Sequence, residues 1–315
     1  MIEKGIVFII SLPRSGSTLL QRLLDSHQNV STLGEISLLL RFLGDQGEVF
    51  RFADYRECNL EIAKSDIRKV WPEFDKIYLE HVRLLMQNIY SKLAGQKSIF
   101  IDKTPSYTLI VEKIYECFPD AKFIVLWRHP LAVAASVSKT YCCNTWYFDN
   151  FLVDLTSGID RMNDFDTPNK ERVFSLRYED LVQSPHEQLE KIGKFLNIEG
   201  LPLVLKKILP KTNHGTLGDQ IGTFKYKHVS TESLDKWKQQ YQTIYRQNWA
   251  KKYFDTDRGK WLNDRGYFLP KSFNSIPFHK NIYESLKEIM QVHKKDKTHK
   301  RYLCKLFRKY SISPC

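Results

Sequence analysis

Gly5-Ile-Val-Phe-Ile-Ile-Ser11 runs directly into Leu12-Pro-Arg-Ser-Gly-Ser-Thr18, and this junction decides how the chain is read. The first seven residues are apolar and β-branched over the length of one buried strand. Pro13 and Gly16 then punctuate a turn. From Thr18 to Ser26 the pattern becomes helical, with Leu19, Leu20, Leu23 and Leu24 on one side. A tight turn between a strand and a helix aims backbone N–H groups and the positive end of a helix dipole at one point, which makes a cup for an anion. Gly16 lets the backbone approach closely, Ser15, Ser17 and Thr18 add hydroxyls, and Arg14 adds a permanent charge.

The alternation continues outward from that turn. A helical, charge-rich stretch covers roughly Glu61 to Leu93, and Ser98 to Asp102 is a second short strand. Thr108 to Cys117 reads as a helix that stops near Pro119. Lys122 to Trp127 is a third strand, followed by a loop at Arg128-His-Pro130 and a helix from Leu131. Arg172 to Arg177 is a fourth, leading into Tyr178-Glu-Asp-Leu181 and a helix from Pro185 to Leu196. Continuously apolar strands separated by helices predict an α/β fold: a parallel central sheet flanked by helices, of the P-loop-like nucleotide-binding kind. Such sheets bind ligands at the carboxyl ends of their strands, where the Arg14 turn lies.

Across the 315 residues, 42% are apolar and 27% charged, which excludes global disorder. No apolar run reaches the roughly 18 residues of a membrane span, and Ile6 to Ile10 is too short for a signal-peptide core, so the expectation is a cytoplasmic chain. Six cysteines without CxxC spacing give neither a zinc site nor a dithiol site, and Cys142-Cys143 is expected to be inert. The net charge of +12 is uneven. From Lys271 to Cys315 there are eleven Lys or Arg against three Asp or Glu, a surplus of +8. The expected division is therefore a body, 1–270, and a basic helical extension, 271–315, that packs on it. Two stripes at helical spacing, Ile282, Leu286 and Ile289, then Leu303, Leu306, Phe307 and Tyr310, are expected to cover a core. Aromatics do not interleave with the basic run from Lys294 to Arg301, so specific nucleic-acid binding is not expected.

Against the Walker pattern GxxxxGK[ST], Ser11 stands at the first glycine and Ser17 at the lysine. An ATP-Mg phosphotransferase depends on that lysine and a metal, and Asp102 at a strand end is the residue that would hold magnesium. Sulfuryl transfer moves a less charged group and needs no metal. Pro13-Arg-Ser-Gly-Ser-Thr-Leu-Leu20 resembles the 5′-phosphosulfate loop of the sulfotransferases that use 3′-phosphoadenosine 5′-phosphosulfate (PAPS; product 3′,5′-ADP). Arg128-His-Pro-Leu-Ala-Val-Ala-Ala-Ser136 is similar to that family's 3′-phosphate site. Asp102-Lys-Thr-Pro105, Leu176-Arg-Tyr-Glu-Asp-Leu181 and Leu234-Asp-Lys-Trp237 resemble further family segments. The resemblance covers about residues 5 to 250 and is closer to the tyrosylprotein, Golgi-type and bacterial branches than to the cytosolic one, whose RKGxxGDW signature is missing from His214 to Val229.

The resemblance implies that Arg14, Ser15, Gly16, Ser17, Thr18, Arg128, Ser136, Tyr178 and Lys236 hold PAPS, and that Lys103 lies near the transferred group. It also implies a general base. Glu35, in Thr32-Leu-Gly-Glu35, matches the placement of the glutamate in the tyrosylprotein branch; its structural alternative is a carboxylate at the start of a helix from Ile36 to Leu43. Histidine is the rival base: His214 could line the acceptor pocket, whereas His27 reads as a cation at the end of the first helix and His129, beside Arg128, lies too far from the sulfuryl group; a surface pairing of Lys103 with Asp102 or Glu112 is the rival for the lysine. The expected activity is sulfuryl transfer by in-line displacement to a hydroxyl or amine of a small-molecule acceptor, with Glu35 as base and Arg14 and Lys103 as charge. The alternatives are a phosphotransferase using ATP-Mg and a non-enzymatic polyanion-binding protein.

Overall fold

The computed structural model describes residues 5–44, 55–148, 151–167, 171–206, 228–273 and 281–295, with the side chains of 55–61 excepted. The stripe from Leu303 to Tyr310, and His214, lie outside the described residues. Contacts divide the chain into two units, Met1–Arg128 with Val153–Thr231, and His129–Leu152 with Glu232–Cys315. This cuts the chain differently from the expected boundary at residue 270.

The first unit holds a parallel sheet in the order β2-β3-β1-β4-β5. Its strands are β1 (Gly5–Ser11), β2 (Val30–Thr32), β3 (Ile99–Lys103), β4 (Lys122–Trp127) and β5 (Val173–Arg177). β1 is paired on both edges, with Gly5 opposite Ile99 and Ile9 opposite Lys103 on one side and Val7 opposite Lys122 on the other. Being covered on both faces is why β1 reads as an unbroken apolar run rather than an alternation. Its Phe8 is fully buried and meets Tyr90, Tyr107, Phe118 and Phe123 in an aromatic cluster.

Helices α1 (Ser17–Asp25), α2 (Leu38–Leu43), α3 (Tyr55–Val70), α4 (Phe74–Ala94) and α5 (Val111–Cys117) fill the crossovers up to β4. The charge-rich stretch is thus two helices, interrupted at Trp71-Pro72, because proline disfavours a helical residue before it. A 3₁₀ segment, Pro105–Ile110, occupies the front of the expected helix at Thr108, and Val111 begins the α-helical part. Then follow α6 (Pro130–Tyr141) in the second unit, and a π-helical turn, Asp154–Gly158, continuing into α7 (Ile159–Phe165) in the first. α8 (Tyr178–Gln183), which the sequence reading did not mark as a helix, and α9 (Pro185–Leu196), which it did, are followed by a 3₁₀ segment, Leu201–Lys206.

The second unit adds α10 (Ser233–Lys236), α11 (Ile244–Phe254), α12 (Asp257–Asp264) and a helix over 281–295, α13. Its buried aromatics include Trp146 and Phe148, which meet Trp249, so part of the aromatic-rich stretch after Tyr141 is core. The reading of α13 needs correction. Ile282, Leu286 and Ile289 do not cover a core; they are 41%, 55% and 46% exposed. The buried residues are Asn281, Ser285 and Glu288. Asn281 Oδ1 accepts from the Ile244 N–H at 2.6 Å and Ser285 Oγ from that of Tyr245 at 3.3 Å, satisfying donors that the first turn of α11 leaves open. Glu288 accepts from Arg246 Nε at 2.6 Å and from Thr243 Oγ1 at 2.7 Å. A buried guanidinium and a helix start both require acceptors, so the polar seam faces inward.

Candidate functional site

β1 ends at Ser11, and the chain turns through Leu12 to Gly16 before α1 begins. Arg14 and Gly16 have positive φ, 64° and 90°. Gly16 is the N-cap residue; it has no side chain to cap with, and its carbonyl accepts from Leu19 N at 3.0 Å and Leu20 N at 3.2 Å. A Cβ at Gly16 would run into the ring of Tyr178, so glycine is required by both conformation and space. The hydroxyls of Ser11 and Ser15 are buried without a hydrogen-bond partner among the described residues. Two orphaned hydroxyls at one turn, next to a helix start without a side-chain cap, fit an anionic donor group whose oxygens would complete them. Arg14, Gly16 and Thr18 are half-buried, and Ser17 is buried.

Arg128 directly follows β4, the neighbour of β1. Its Nη1 donates to the Arg14 carbonyl at 2.7 Å, and its guanidinium lies 4.5 Å from the centre of the Tyr178 ring. The structure therefore brings Arg14, Gly16, Arg128 and Tyr178 together in the first unit. Ser136, on α6, and Lys236, at the end of α10, belong to the second. Lys236 is exposed and donates to Glu232 at 2.6 Å, one turn back on its own surface.

Lys103 ends β3, and its ammonium is 2.8 Å from Glu35 Oε1. The lysine side chain is 1% exposed and the glutamate 23%, so only the carboxylate reaches toward solvent. The two residues that the sequence offered as charge and base thus form one pair, in place of the expected surface pairing of Lys103 with Asp102 or Glu112. Glu35 does not start the next helix, because α2 begins at Leu38. Its loop is tied at both ends. Gln21, fully buried on α1, donates to Thr32 Oγ1 at 2.6 Å and to the Leu33 carbonyl at 2.7 Å. On the other side, the Ser37 N–H donates to Thr104 Oγ1 at 3.2 Å. His27 contacts the Glu199 carbonyl and His129 that of Phe268 through a ring nitrogen.

Asp102 is wholly buried and accepts from Tyr90 Oη at 2.7 Å and Tyr107 Oη at 3.0 Å through the same Oδ2. Burial pushes its carboxyl up to about 6 despite these donors and the nearby Lys103. A raised acid pKa means that the folded chain binds more protons than the unfolded one between about pH 4 and 6, so this group's contribution to stability falls as pH rises through that window. Asp102→Asn keeps an acceptor for both tyrosines. Its stability relative to the parent should improve from pH 4 to 6 by about 3 kcal/mol and level off above. Urea titrations at several pH values check this; parallel curves would contradict it.

Two buried polar residues escaped sequence reading. Gln21 sits among leucines, where a polar residue on an apolar helix face was the available signal. Asp154, in the π-helical turn, is 6% exposed and has no hydrogen bond or ion pair among the described residues; an Asp in a helical segment gives no sign of burial. Of the cysteines, Cys117 and Cys142 are buried and Cys143 exposed; burial pushes the Cys117 thiol up to about 12 and raises that of Cys142, which suits an inert role. Among the described residues no helix is long and apolar enough to cross a membrane.

A profile of the sulfotransferase family matches residues 7–202, more than half of the chain. The nodulation protein NoeE of Sinorhizobium fredii is 31% identical over 139 residues, 43% of this chain and 32% of that protein. A Drosophila melanogaster protein-tyrosine sulfotransferase is 24% identical over 256 residues, 75% of this chain and 47% of that one. The chain thus spans between a third and a half of the length of these curated relatives. Among solved structures, the sulfotransferase domain of the Synechococcus PCC 7002 olefin synthase is 27% identical with a TM-score of 0.52, covering 74% of this chain and 88% of that domain. The match spans the Arg14 turn, the Glu35–Lys103 pair and the Arg128–Tyr178 contact alike, and the chain belongs to the sulfotransferase family.

Proposed function

We propose that this chain moves a sulfuryl group from PAPS to a hydroxyl or amine of a small-molecule acceptor by in-line displacement. The observation that carries the reading is the Glu35–Lys103 pair at the carboxyl end of the strand next to β1, whose own carboxyl end carries the Arg14 turn. When bound, PAPS supplies an activated sulfuryl group on a phosphate leaving group. Arg14 to Thr18 hold its phosphosulfate end through backbone N–H groups, hydroxyls and the Arg14 charge. Tyr178 flanks the nucleotide, and Arg128, Ser136 and Lys236 are assigned to it by motif resemblance.

Glu35 takes the proton of the attacking hydroxyl at its half-buried carboxylate. Lys103, anchored in the core, presents positive charge toward the oxygen that the sulfuryl group leaves. The tyrosine phenol named for one relative is a hydroxyl of the same chemical class.

Thermal unfolding with added nucleotide tests the reading. At 100 times its dissociation constant a ligand adds roughly 2.7 kcal/mol. The melting temperature should rise by several degrees with 3′,5′-ADP in the presence of a chelator. A rise with ATP-Mg alone would make the chain a phosphotransferase instead. No rise with either, together with salt-sensitive heparin binding, would make it a polyanion-binding protein.

A further inference from the structure

An amide on an apolar helix face is costly to bury unless its hydrogen bonds are met. Gln21 is such a group: it stands on α1 among Leu20, Leu23 and Leu24 and is fully buried with them. Its Nε2 gives both of its protons to one loop, to Thr32 Oγ1 at 2.6 Å and to the Leu33 carbonyl at 2.7 Å. A carbonyl can only accept, so the nitrogen end of the amide has to face it. Thr32 Oγ1 in turn donates to the Ile101 carbonyl at 2.9 Å.

These bonds join the three elements that carry the reacting groups. α1 begins at Ser17, one turn before Gln21, and its first residues belong to the Arg14–Thr18 cradle. Ile101 is on β3, two residues before Lys103. Thr32 and Leu33 open the loop that carries Glu35, whose Oε1 is 2.8 Å from Lys103 Nζ. β2 has three residues and forms an edge of the sheet, so its ladder does not extend into this loop. At the far end the Ser37 N–H donates to Thr104 Oγ1 at 3.2 Å. Glu35 is thus suspended between two fixed points, and Gln21 ties the nearer one to the helix that opens the cradle.

We propose that Gln21 is a positioning residue for sulfuryl transfer: through Thr32 and Leu33 it holds the Glu35 carboxylate in register with the donor cradle. The role rests on the reading of Glu35 as the base. In-line displacement needs the attacking oxygen, the sulfur and the leaving oxygen in a row, so the group that takes the attacking proton has to be placed relative to the donor. A misplacement of about 1 Å costs about a hundredfold in rate.

Gln21→Met keeps the length of the side chain and removes both donated bonds. With PAPS and p-nitrophenol as the acceptor probe, kcat should fall about 10- to 100-fold, with the KM for PAPS and the 3′,5′-ADP-induced rise in melting temperature unchanged. Added to Glu35→Gln, the same substitution should cost about twofold or less, because a residue that acts through the base loses its effect once the base is gone. Thr32→Val should repeat the loss and Thr32→Ser, which keeps the hydroxyl, should restore most of it; this pair carries the test should Gln21→Met not fold. Hydrogen exchange on the ligand-free proteins needs no acceptor. The amides of residues 34–37 should exchange about tenfold faster or more in Gln21→Met, with those of β1 and β4 unchanged.

A kcat within about threefold of the parent, or loop amides that exchange at the parent's rate, would overturn the role and leave Glu35 standing as the base. A loss that recurs in full on top of Glu35→Gln would also overturn it, by making the amide a purely structural group. Should p-nitrophenol not be turned over, the exchange rates decide. Glu35→Gln costing less than tenfold by itself removes the base, and the positioning role with it.

Discussion

Glu35→Gln should lower the turnover number about 10²- to 10⁴-fold, the usual cost of losing a positioned general base. Glutamine preserves the size of the side chain and an oxygen able to accept from Lys103 Nζ, so the loop from Thr32 to Ser37 keeps its ties to Gln21 and Thr104. What disappears is the site for the proton. The loss should therefore fall on kcat, with the 3′,5′-ADP-induced rise in melting temperature unchanged. Steady-state kinetics with PAPS and an acceptor found by screening for 3′,5′-ADP release measure it. A decrease of less than tenfold would remove Glu35 from the role of base.

Gly16→Ala should abolish the 3′,5′-ADP-induced stabilisation. A non-glycine residue in the left-handed region costs about 1–2 kcal/mol. Gly16 sits at φ 90°, outside even the narrow region that other residues tolerate. The new methyl group also has to displace the Tyr178 ring, and overpacking of that kind costs about 1–3 kcal/mol. Tyr178 supports Arg128, whose guanidinium fastens the Arg14 carbonyl, so one added carbon shifts the turn, the ring and the arginine together. The ligand-free protein should melt several degrees lower and show no response to 3′,5′-ADP. A normal response would mean that the turn is not the nucleotide cradle.

The parts of this fold visible in sequence are those with one dominant signal. β1 and β4 are long apolar runs, and the expected limits of both agree with the structure. β2 went unread because three residues carry no period, and its place is set by pairing with β3 some seventy positions away. The break at Pro72 was visible as a residue and was absorbed into a longer helical stretch. In α13 the periodicity was real, yet a helical wheel gives a stripe and not the direction in which it faces. Arg246 and the start of α11 turned the polar side inward.

At the site, Glu35 and Lys103 were each legible through a motif. Their pairing was not, since it depends on how two crossovers place residues 68 positions apart. Asp154 had no motif at all. Its burial follows from packing between the π turn and the 3₁₀ segment, two elements too short to announce themselves.

The central place of β1 has a consequence for how the chain matures on the ribosome. Its edges are completed by residues 99–103 and 122–126, so this apolar ribbon, once synthesised, waits for about a hundred further residues before either neighbour exists. At roughly 5–20 residues per second that delay lasts on the order of five to twenty seconds. Through that interval an unpaired, aggregation-prone segment is the natural client of a chaperone, and the anion-binding turn cannot take shape until translation has passed β4.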